Sequence, residues 1–225
     1  MSGPVPAGEV AGVKRSLDVV LGSLAALATL PLVLVLALVL AVELRCWPFF
    51  VQERVGRADR IFRVVKLRTL PPTVSTVATK YELADVAIPP IARKLRELHL
   101  DELPQLWLVV AGRMSLVGPR PEMPSLHAAF TPEVRAARAA VRPGCTGLWQ
   151  VSVASSGLMH EHPEYDLAYI RALSLRLDLW ILARTVSVLL GGRSTVTLSD
   201  APLVFVLPEA VATVDLTAVE QRAAV

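Results

Sequence analysis

Cysteine and charge are both scarce in this sequence, and each scarcity excludes a class of protein. The 225 residues include two cysteines, Cys46 and Cys145, which lie far apart and outside any metal-ligand spacing. A disulfide framework is therefore not expected, and a reducing cytoplasm fits this usage. The four histidines are scattered without a ligand pattern. The net charge of +3 is too small to indicate a nucleic-acid partner, and no nucleic-acid-binding motif occurs.

Charged residues make up only 19% of the chain and hydrophobic residues 53%, an apolar balance for a chain whose length suggests one or two domains. A concentrated apolar segment, residues 16–44, accounts for this balance. It follows Lys14 and Arg15 and carries no charge between Leu24 and Val42. Residues 1–13 are rich in Gly, Pro and Ala and are interpreted as a mobile tail.

Three interpretations of the apolar segment compete. A cleaved signal peptide is disfavoured because the run is long and no small-residue cleavage site follows it. A spanning helix is the default, since about 20 apolar residues cross a bilayer. The third is a re-entrant hairpin that breaks at Pro31, where a backbone hydrogen bond is lost, and returns to its own side. Basic residues flank both ends, which the positive-inside rule places in the cytoplasm. The residues alone leave the last two interpretations open.

Residues 45–70 are predicted to form a β-hairpin. The segments PFFVQ and IFRVV are short, apolar and β-prone, and RVGRADR between them holds a turn. Basic residues here outnumber Glu53 and Asp59, so they either attract anionic headgroups or line a diphosphate pocket. Residues 71–92, rich in Pro and Thr, are predicted to form a mobile loop that can act as a lid.

The stretch RKLRELHLDELPQLWLVVAGRMSLVGPRP, residues 93–121, places two adjacent carboxylates, Asp101 and Glu102, between basic residues. Because proline is tolerated only in the first turn of a helix, Pro104 predicts a helix that begins at Asp101. Apolar residues then recur at helical spacing, and Gly112 is the predicted stop.

This placement has a chemical consequence for the two carboxylates. Asp101 is predicted to be the N-cap and Glu102 the first helical residue, where the helix dipole favours the ionised forms. An ionised carboxylate can act as a nucleophile or as a ligand of a hard cation, and arginines suit phosphate oxygens. The alternative is a capping aspartate beside a solvated glutamate, without any chemical role.

Two further motifs follow downstream. Arg120 lies between Pro119 and Pro121, which restrict the backbone of a phosphate-binding candidate. The segment VRPGCTGLWQV combines a Pro-Gly turn with a strand; Arg142 is a second phosphate candidate, and Trp149 is predicted to pack rather than stack on a base. The segment PEYDLAYIRALSLRLDLWILARTVSVLLGG is predicted to be one helix of about eight turns, on a core or at a membrane surface.

The stretch LHLDELPQLWLVVAGRMSLVGPRP closely resembles the signature of the bacterial sugar transferases, the monotopic phosphoglycosyl transferases. Matching segments cover roughly residues 14–190 in the order of that family: KRSLDVVLGSLAALATLP, FFVQERVG, FRVVKLRTL, VRPGCTGLWQV and EYDLAYIRALSLRLDLWIL. Three departures stand out. Leu30 replaces the serine often found before the proline, with Thr29 one place earlier; Ala92 replaces a glycine; and the Gly-Arg expected soon after residue 151 is missing.

The resemblance implies a helix-rich α/β fold on the cytoplasmic face of the bacterial cytoplasmic membrane. Residues 14–44 would form the re-entrant membrane helix-hairpin, with the kink at Pro31. Residues 45–193 would form a small catalytic domain with amphipathic interfacial helices, and residues 194–225 a C-terminal tail.

The resemblance also implies an activity, the initiating step of polysaccharide or glycoconjugate assembly. A sugar-1-phosphate would pass from a UDP-sugar to polyprenyl phosphate, with release of UMP. Asp101 would attack the β-phosphorus and form an aspartyl phosphosugar, and Glu102, with Asp101, would hold Mg²⁺. Arg96, Arg120 and Arg142 would bind phosphate oxygens. Further pocket candidates by resemblance are Lys66, Arg68, Gln52, Arg54, Gly56, Tyr169 and Asp178.

The expected partners are the UDP-sugar, polyprenyl phosphate and the inner membrane, without nucleic acid; assembly as a homodimer is left open. Two alternatives compete with this activity. A membrane-attached, Mg-dependent phosphatase with an Asp nucleophile would share the carboxylates, but the chain lacks an Asp-x-Asp after a strand. A non-catalytic membrane scaffold would keep the apolar segment, but it gives no reason for the DELPQL and GPRP motifs.

Overall fold

The computed structural model describes residues 7–75, 86–192 and 196–203. Its helices are α1 Ala7–Leu44, α2 Pro90–Glu97, α3 Leu106–Val110, α4 Pro124–His127, α5 Pro132–Ala140, α6 Pro163–Arg171 and α7 Leu175–Leu189. Its strands are β1 Phe49–Val55, β2 Ile61–Leu67, β3 Ser115–Val117 and β4 Gly144–Thr146. The predicted helix-rich α/β class is confirmed. The middle of the predicted loop and most of the predicted C-terminal tail lie outside the described residues.

Helix α1 is long and apolar enough to cross a membrane. It begins at Ala7, within the predicted tail of residues 1–13. The helix also continues through Pro31, where the resemblance implies a break, so a reversal of the chain is not shown. The Thr29 hydroxyl donates to the carbonyl of Ala25 at 2.7 Å, and not to that of Leu27, which Pro31 leaves without an amide donor. Hydroxyl bonds of this kind tend to bend a helix.

One side of α1 packs along the rest of the protein. In its C-terminal half, Val33, Ala37 and Leu40 are buried against Leu67 of β2 and against α2. In its N-terminal half, Gly22 lies so close to α3 that an added Cβ would meet the Val109 side chain at 3.0 Å. Many other apolar side chains of α1 stay exposed in the structure, among them Leu24, Leu27, Leu34, Val35, Leu38 and Val42. The helix therefore carries a packed side and a second, apolar side that no other part of the described structure covers.

The N-terminal end of α1 is fastened to the domain by ionic and polar contacts. Lys14 Nζ lies 2.6 Å from the carboxylate of Asp178 and donates to the carbonyl of Val117 at 2.9 Å. The hydroxyl of Tyr169 donates to the same aspartate at 2.8 Å. Both Tyr169 and Asp178 are buried, so this contact joins α1 to the interior.

Two neighbouring side chains of α1 extend this attachment. Arg15 donates to the carbonyls of Val109, at 2.7 Å, and of the next residue, at 3.0 Å. The buried Asp18 accepts from the Ser115 hydroxyl at 2.7 Å and from the following backbone amide at 2.9 Å. These bonds link the first turns of the apolar segment to α3 and to β3.

Strands β1 and β2 form the antiparallel hairpin that the sequence predicts. Lys66 pairs with Phe50 at the end far from the turn, and Val55 pairs with Ile61 next to it. The turn is closed by the Gly56 amide, which donates to the carbonyl of Arg60 at 2.9 Å. The hairpin is also joined to the loop after β3, because the Val55 amide donates to the carbonyl of Glu122 at 2.9 Å.

Strands β3 and β4 pair in parallel, with Ser115 opposite Gly144. The main core lies beside this pair and includes Leu148, Trp149, Tyr169, Leu177 and Ile181. Trp149 is buried in this core, which agrees with the prediction that it packs.

The single long helix predicted near the C-terminus is wrong, because α6 and α7 are separate. The break comes at Ser174, whose side chain accepts a hydrogen bond from the Leu177 amide at 3.3 Å and so caps α7.

Candidate active site

The two adjacent carboxylates lie on a 3₁₀ helix, Leu100–Gln105, between α2 and α3. The helix is preceded by His99, which has a left-handed conformation with φ 54°. Asp101 is therefore not the N-cap, and that prediction is wrong. The chain reverses at His99, two residues after α2 ends, so both carboxylates fall in the first turn. Gly112, with φ +76°, follows α3 as the predicted stop.

Glu102 is held between two cations. Its carboxylate lies 2.5 Å from Lys66 Nζ and 3.3 Å from Arg120 Nη2. Burial alone would raise the pKa of Glu102, but the two neighbouring cations lower this pKa by a larger amount. The net pKa of Glu102 therefore lies well below the usual range. Glu102 is consequently ionised at neutral pH, and it joins β2 to the loop after β3.

Asp101 has a different environment from its neighbour. Asp101 is only 8% exposed, and within the described ranges no hydrogen bond or salt bridge reaches its carboxylate. Burial, followed by the charge of Glu102, raises its pKa, while Lys66, Arg96 and His99 oppose the rise. Two adjacent carboxylates with opposite pKa shifts indicate different chemical roles. The unpaired one is available to a substrate or a cation.

Two predicted arginines border this pair. Arg96 of α2 donates to the Thr69 hydroxyl at 3.2 Å, and its charge acts on Asp101. Arg120 lies with its guanidinium carbon 5.9 Å from the centre of the Trp149 ring. The structure therefore brings Lys66, Arg96 and Arg120 together around the carboxylates.

The loop that carries Arg120 is supported by residues that sequence reasoning missed. Arg138 of α5 donates to the carbonyl of Arg120 and forms a buried ion pair with Asp166 of α6. The only signal in the sequence is an aspartate within the apolar run of α6, and its partner lies 28 residues away. These two residues fix the backbone at Arg120. Asp166 lies in the matching segment EYDLAYIRALSLRLDLWIL, whereas Arg138 lies outside the recognised motifs.

The predicted candidates Gln52 and Arg54 also support the same loop. Arg54 donates to the carbonyl of Pro121 at 3.0 Å and lies 3.5 Å from the carboxylate of Glu122. Its other nitrogen donates to the side chain of Gln52 at 2.6 Å. Burial lowers the pKa of Arg54 to about 10, against the effect of Glu122, and it remains charged at neutral pH.

Arg142 and Gly56 do not border the carboxylates as Arg96 and Arg120 do. Arg142 donates to the carbonyl of Gly112 at 3.0 Å and lines another cavity together with Gly56. The reason is the direction of the two side chains. The backbone of Arg142 lies against Gly118, but its side chain is turned toward Gly112, whereas that of Arg120 is turned toward Glu102.

Tyr169 and Asp178 are not placed with the carboxylates either. Both belong to the buried attachment of Lys14, and burial raises the pKa of each of them. Arg68 takes a third position: its Nε donates to the carbonyl of Trp47 at 3.1 Å, beyond the end of β2.

The residues present fit a magnesium ion only together with a substrate. In the part of the chain that the structure describes, no group of three or more Asp, Glu, His or Cys side chains converges. Mg²⁺, however, is commonly held by one or two carboxylates, substrate phosphates and waters. The unpaired carboxylate of Asp101 and the adjacent Glu102 meet that requirement.

Comparisons with known proteins agree with these motifs. The sequence model of the family described as bacterial sugar transferase matches residues 10–192. A UDP-glucose:undecaprenyl-phosphate glucose-1-phosphate transferase of Caulobacter vibrioides is 39% identical over 201 residues, which cover 84% of this chain and 73% of that protein. An exopolysaccharide production protein, ExoY, of Rhizobium meliloti is 31% identical over 193 residues, which cover 77% of this chain and 83% of that protein.

Other relatives are longer. The undecaprenyl-phosphate glucose phosphotransferase of Komagataeibacter xylinus is 36% identical over 187 residues, 77% of this chain but 35% of that protein. The chain thus spans about a third of that relative, although the family match covers most of the chain itself. The recognised motifs, the paired carboxylates and this match have a single explanation: the chain belongs to the bacterial sugar transferase family.

Proposed function

We propose that this chain transfers a sugar-1-phosphate from a UDP-sugar to polyprenyl phosphate and releases UMP. The observation that carries the proposal is the unpaired, buried carboxylate of Asp101 beside the ion-paired Glu102. The relatives' names support the substrate class, since they specify UDP-sugars and undecaprenyl phosphate. The assembly of an exopolysaccharide is supported by the name of the Rhizobium relative.

The reaction has two displacements. In the first, an oxygen of Asp101 attacks the β-phosphorus of the UDP-sugar, the bond to the bridging oxygen breaks, and UMP leaves with that electron pair. In the second, a phosphate oxygen of polyprenyl phosphate attacks the aspartyl phosphosugar and returns the carboxylate of Asp101. Covalent catalysis of this kind divides one difficult transfer into two easier ones.

The surrounding cations suit the charge that develops. Lys66 and Arg120 form ion pairs with Glu102, so they are already oriented before phosphoryl oxygens arrive. Arg96 is close enough to Asp101 for its charge to act on that carboxylate. Preorganised donors need little rearrangement at the moment of reaction, which makes them effective. Mg²⁺, held by Asp101, Glu102 and substrate phosphate, would offset negative charge on the diphosphate.

The first prediction concerns the nucleophile. We expect Asp101→Asn to abolish UMP release, because an amide is a poor nucleophile. The fold should remain, with Tm unchanged or higher, because the variant removes a buried charge whose pKa is already raised by burial. Wild-type enzyme given the UDP-sugar alone should release one equivalent of UMP per site and retain sugar phosphate on Asp101, seen by mass spectrometry of quenched protein.

Asp59→Asn is the matched control, because that aspartate lies on the turn of the hairpin and is exposed. Activity of Asp101→Asn within about tenfold of wild type would contradict the nucleophile assignment. Strict dependence of UMP release on added polyprenyl phosphate would indicate a single displacement instead.

The second prediction concerns Glu102. We expect Glu102→Gln to lower UMP release at least about a hundredfold, since Lys66 and Arg120 lose the carboxylate that orients them. Raised Mg²⁺ should recover part of the rate. Glu97→Gln is the control, because Glu97 forms only an exposed pair with Lys94. A wild-type rate with wild-type Mg²⁺ dependence in Glu102→Gln would remove Glu102 from the metal site.

We propose a binding site for the acceptor lipid at the C-terminal end of α1. A cavity of about 540 Å³ is lined by apolar residues of α1, by Trp47 and Pro48, and by Arg45. Arg68 is bonded to Trp47 and follows Lys66 by two residues. We assign the isoprenoid chain to this cavity and its phosphate to Arg68, because the cavity continues the exposed apolar side of α1.

The third prediction tests this assignment. Arg68→Gln should raise KM for polyprenyl phosphate about tenfold, the scale of one charge-assisted hydrogen bond, and leave the UMP burst from the UDP-sugar alone unchanged. Arg63→Gln, at an exposed position of β2, is the control. Loss of the burst in Arg68→Gln would place this arginine at the donor site instead.

The arrangement of α1 supports a membrane segment with both ends on one face. Lys14, Arg15 and Asp18 all contact the catalytic domain, as do Val33, Ala37 and Leu40 beyond Pro31. A helix that crossed the bilayer would place its N-terminal turns on the face opposite the domain. UDP-sugars are cytoplasmic, so we place both ends of the segment and the domain on the cytoplasmic face of the bacterial inner membrane.

The fourth prediction tests this topology. In a variant with Cys46→Ser and Cys145→Ala, a membrane-impermeant thiol reagent should label Ser2→Cys only after the cells are permeabilised. Glu133→Cys, at an exposed position of α5, should behave in the same way and serves as the control. Labelling of Ser2→Cys but not of Glu133→Cys in intact cells would mean that α1 spans the membrane.

A further inference from the structure

A second cavity, of about 380 Å³, lies away from the carboxylate pair and is lined by four arginines: Arg57, Arg60, Arg113 and Arg142. Its volume falls within the range of about 300–1,000 Å³ that is usual for small-molecule sites. The first two arginines come from the turn of the β-hairpin, and the others precede β3 and β4. Segments that are distant in the sequence thus place four positive charges around the same cavity.

The four arginines have no acidic partners among the residues that the structure describes, because no carboxylate lies within salt-bridge distance of them. The two nearby carboxylates are engaged elsewhere: Asp18 accepts from Ser115 and the next amide, and Asp59 lies 3.3 Å from His127. Burial lowers the pKa of Arg142, and the charges of Arg15 and Arg57 lower it further. An anion in the cavity would relieve this repulsion between like charges.

The turn that presents Arg57 and Arg60 is held in an uncommon conformation. Ala58 and Asp59 both lie in the left-handed region, with φ 56° and 54°. Non-glycine residues in that region cost on the order of 1–3 kcal/mol each and persist where their surroundings fix them, often at binding sites. Here the contact of Asp59 with His127 and the bond from Gly56 to Arg60 close the turn.

The cavity is separate from the proposed catalytic site. Along β2, Ile61 next to the turn and Lys66 beside Glu102 are five residues apart, roughly 17 Å at the usual strand rise. Along the parallel pair, Arg113 and Arg142 precede the strands, whereas Arg120 follows them. The β-hairpin therefore holds the two sites apart, and the residues that line the arginine cavity are different from those that border the carboxylates.

The cavity also adjoins the beginning of the apolar helix. Gly112, which lines it, lies so close to Arg15 of α1 that an added Cβ would meet the guanidinium at 3.2 Å. The exposed apolar side chains of α1 begin at Val13 and Leu17, on either side of Arg15. A group bound in the cavity would thus lie where the membrane segment starts.

We propose that the cavity formed by Arg57, Arg60, Arg113 and Arg142 binds a phosphate group at a site distinct from the one that holds the reacting diphosphate. Arginine binds phosphate oxygens through paired N–H donors, and several arginines around one space suit a phosphodiester or a diphosphate. Two sources share this chemistry, the headgroup of an anionic phospholipid and a soluble phosphate. The position beside the start of α1 fits the phospholipid.

The test compares the double variant Arg57→Gln/Arg113→Gln with Arg63→Gln/Arg176→Gln. The second variant removes the same charge at exposed positions outside the cavity. Binding is measured on the full chain in neutral detergent with two probes. The first is phosphatidylglycerol, counted by native mass spectrometry against phosphatidylcholine, and the second is radiolabelled inorganic pyrophosphate, in equilibrium dialysis with the UDP-sugar at saturation.

We expect the cavity variant to lose at least about tenfold in affinity for one probe, and the control variant to bind as wild type does. Loss with phosphatidylglycerol identifies a lipid headgroup as the source, and loss with pyrophosphate a soluble phosphate. The cavity variant should keep the UMP burst, and Asp101→Asn should keep the binding. Unchanged binding of both probes by the cavity variant overturns the proposal, as does displacement of the bound probe by the UDP-sugar.

Failure of this proposal is distinguishable from failure of the proposed transferase activity. The phosphate site is measured by binding, without turnover, and it is expected in protein whose nucleophile has been replaced. The activity is measured by UMP release, which does not require the arginine cavity. Either result can therefore be negative while the other stands.

Discussion

The ion cluster of Glu102 with Lys66 and Arg120 is the interaction on which the site depends. It joins three elements through charge: the 3₁₀ helix, strand β2 and the loop after β3. Loss of one partner from a buried ion pair leaves an uncompensated charge, at about 3–5 kcal/mol. The cluster therefore holds the cations in place whether or not a diphosphate is present. It also leaves the neighbouring Asp101 without a partner of its own.

The difference between Asp101 and Glu102 is a consequence of direction along a short helix. Adjacent residues point to different sides, so one carboxylate meets Lys66 and Arg120 and the other does not. The sequence predicts that two carboxylates share a basic site, because the charges surround them in the chain. It does not predict which of them is paired, because that depends on two residues 36 and 18 positions away from Glu102. The assignment of Asp101 as an N-cap fails for the related reason that the reversal at His99 has no strong local signal.

The parts of the fold that the sequence predicts correctly have clear local patterns. The β-hairpin follows from two β-prone runs around a turn, and the end of α3 follows from Gly112. The helical pattern near the C-terminus fails at Ser174, because a serine is compatible both with the interior of a helix and with a helix cap. Its pattern predicts a continuous helix, but its side chain caps α7 and ends the connection from α6. The support of Arg120 by Arg138 and Asp166 could not be predicted, because Arg138 lies outside the recognised motifs and no local pattern pairs it with an aspartate 28 residues away.

The direction of two side chains explains why arginines with similar sequence surroundings line different parts of the structure. Arg120 and Arg142 both stand beside prolines and glycines, and both suit phosphate. Their backbones are close, because an added Cβ at Gly118 would meet the carbonyl of Arg142 at 2.5 Å. Their side chains diverge: Arg120 lies 3.3 Å from the carboxylate of Glu102, whereas Arg142 donates to the carbonyl of Gly112. One set of cations consequently faces the carboxylates and the other lies beside the first turns of α1, which is why we propose phosphate groups at two places rather than one.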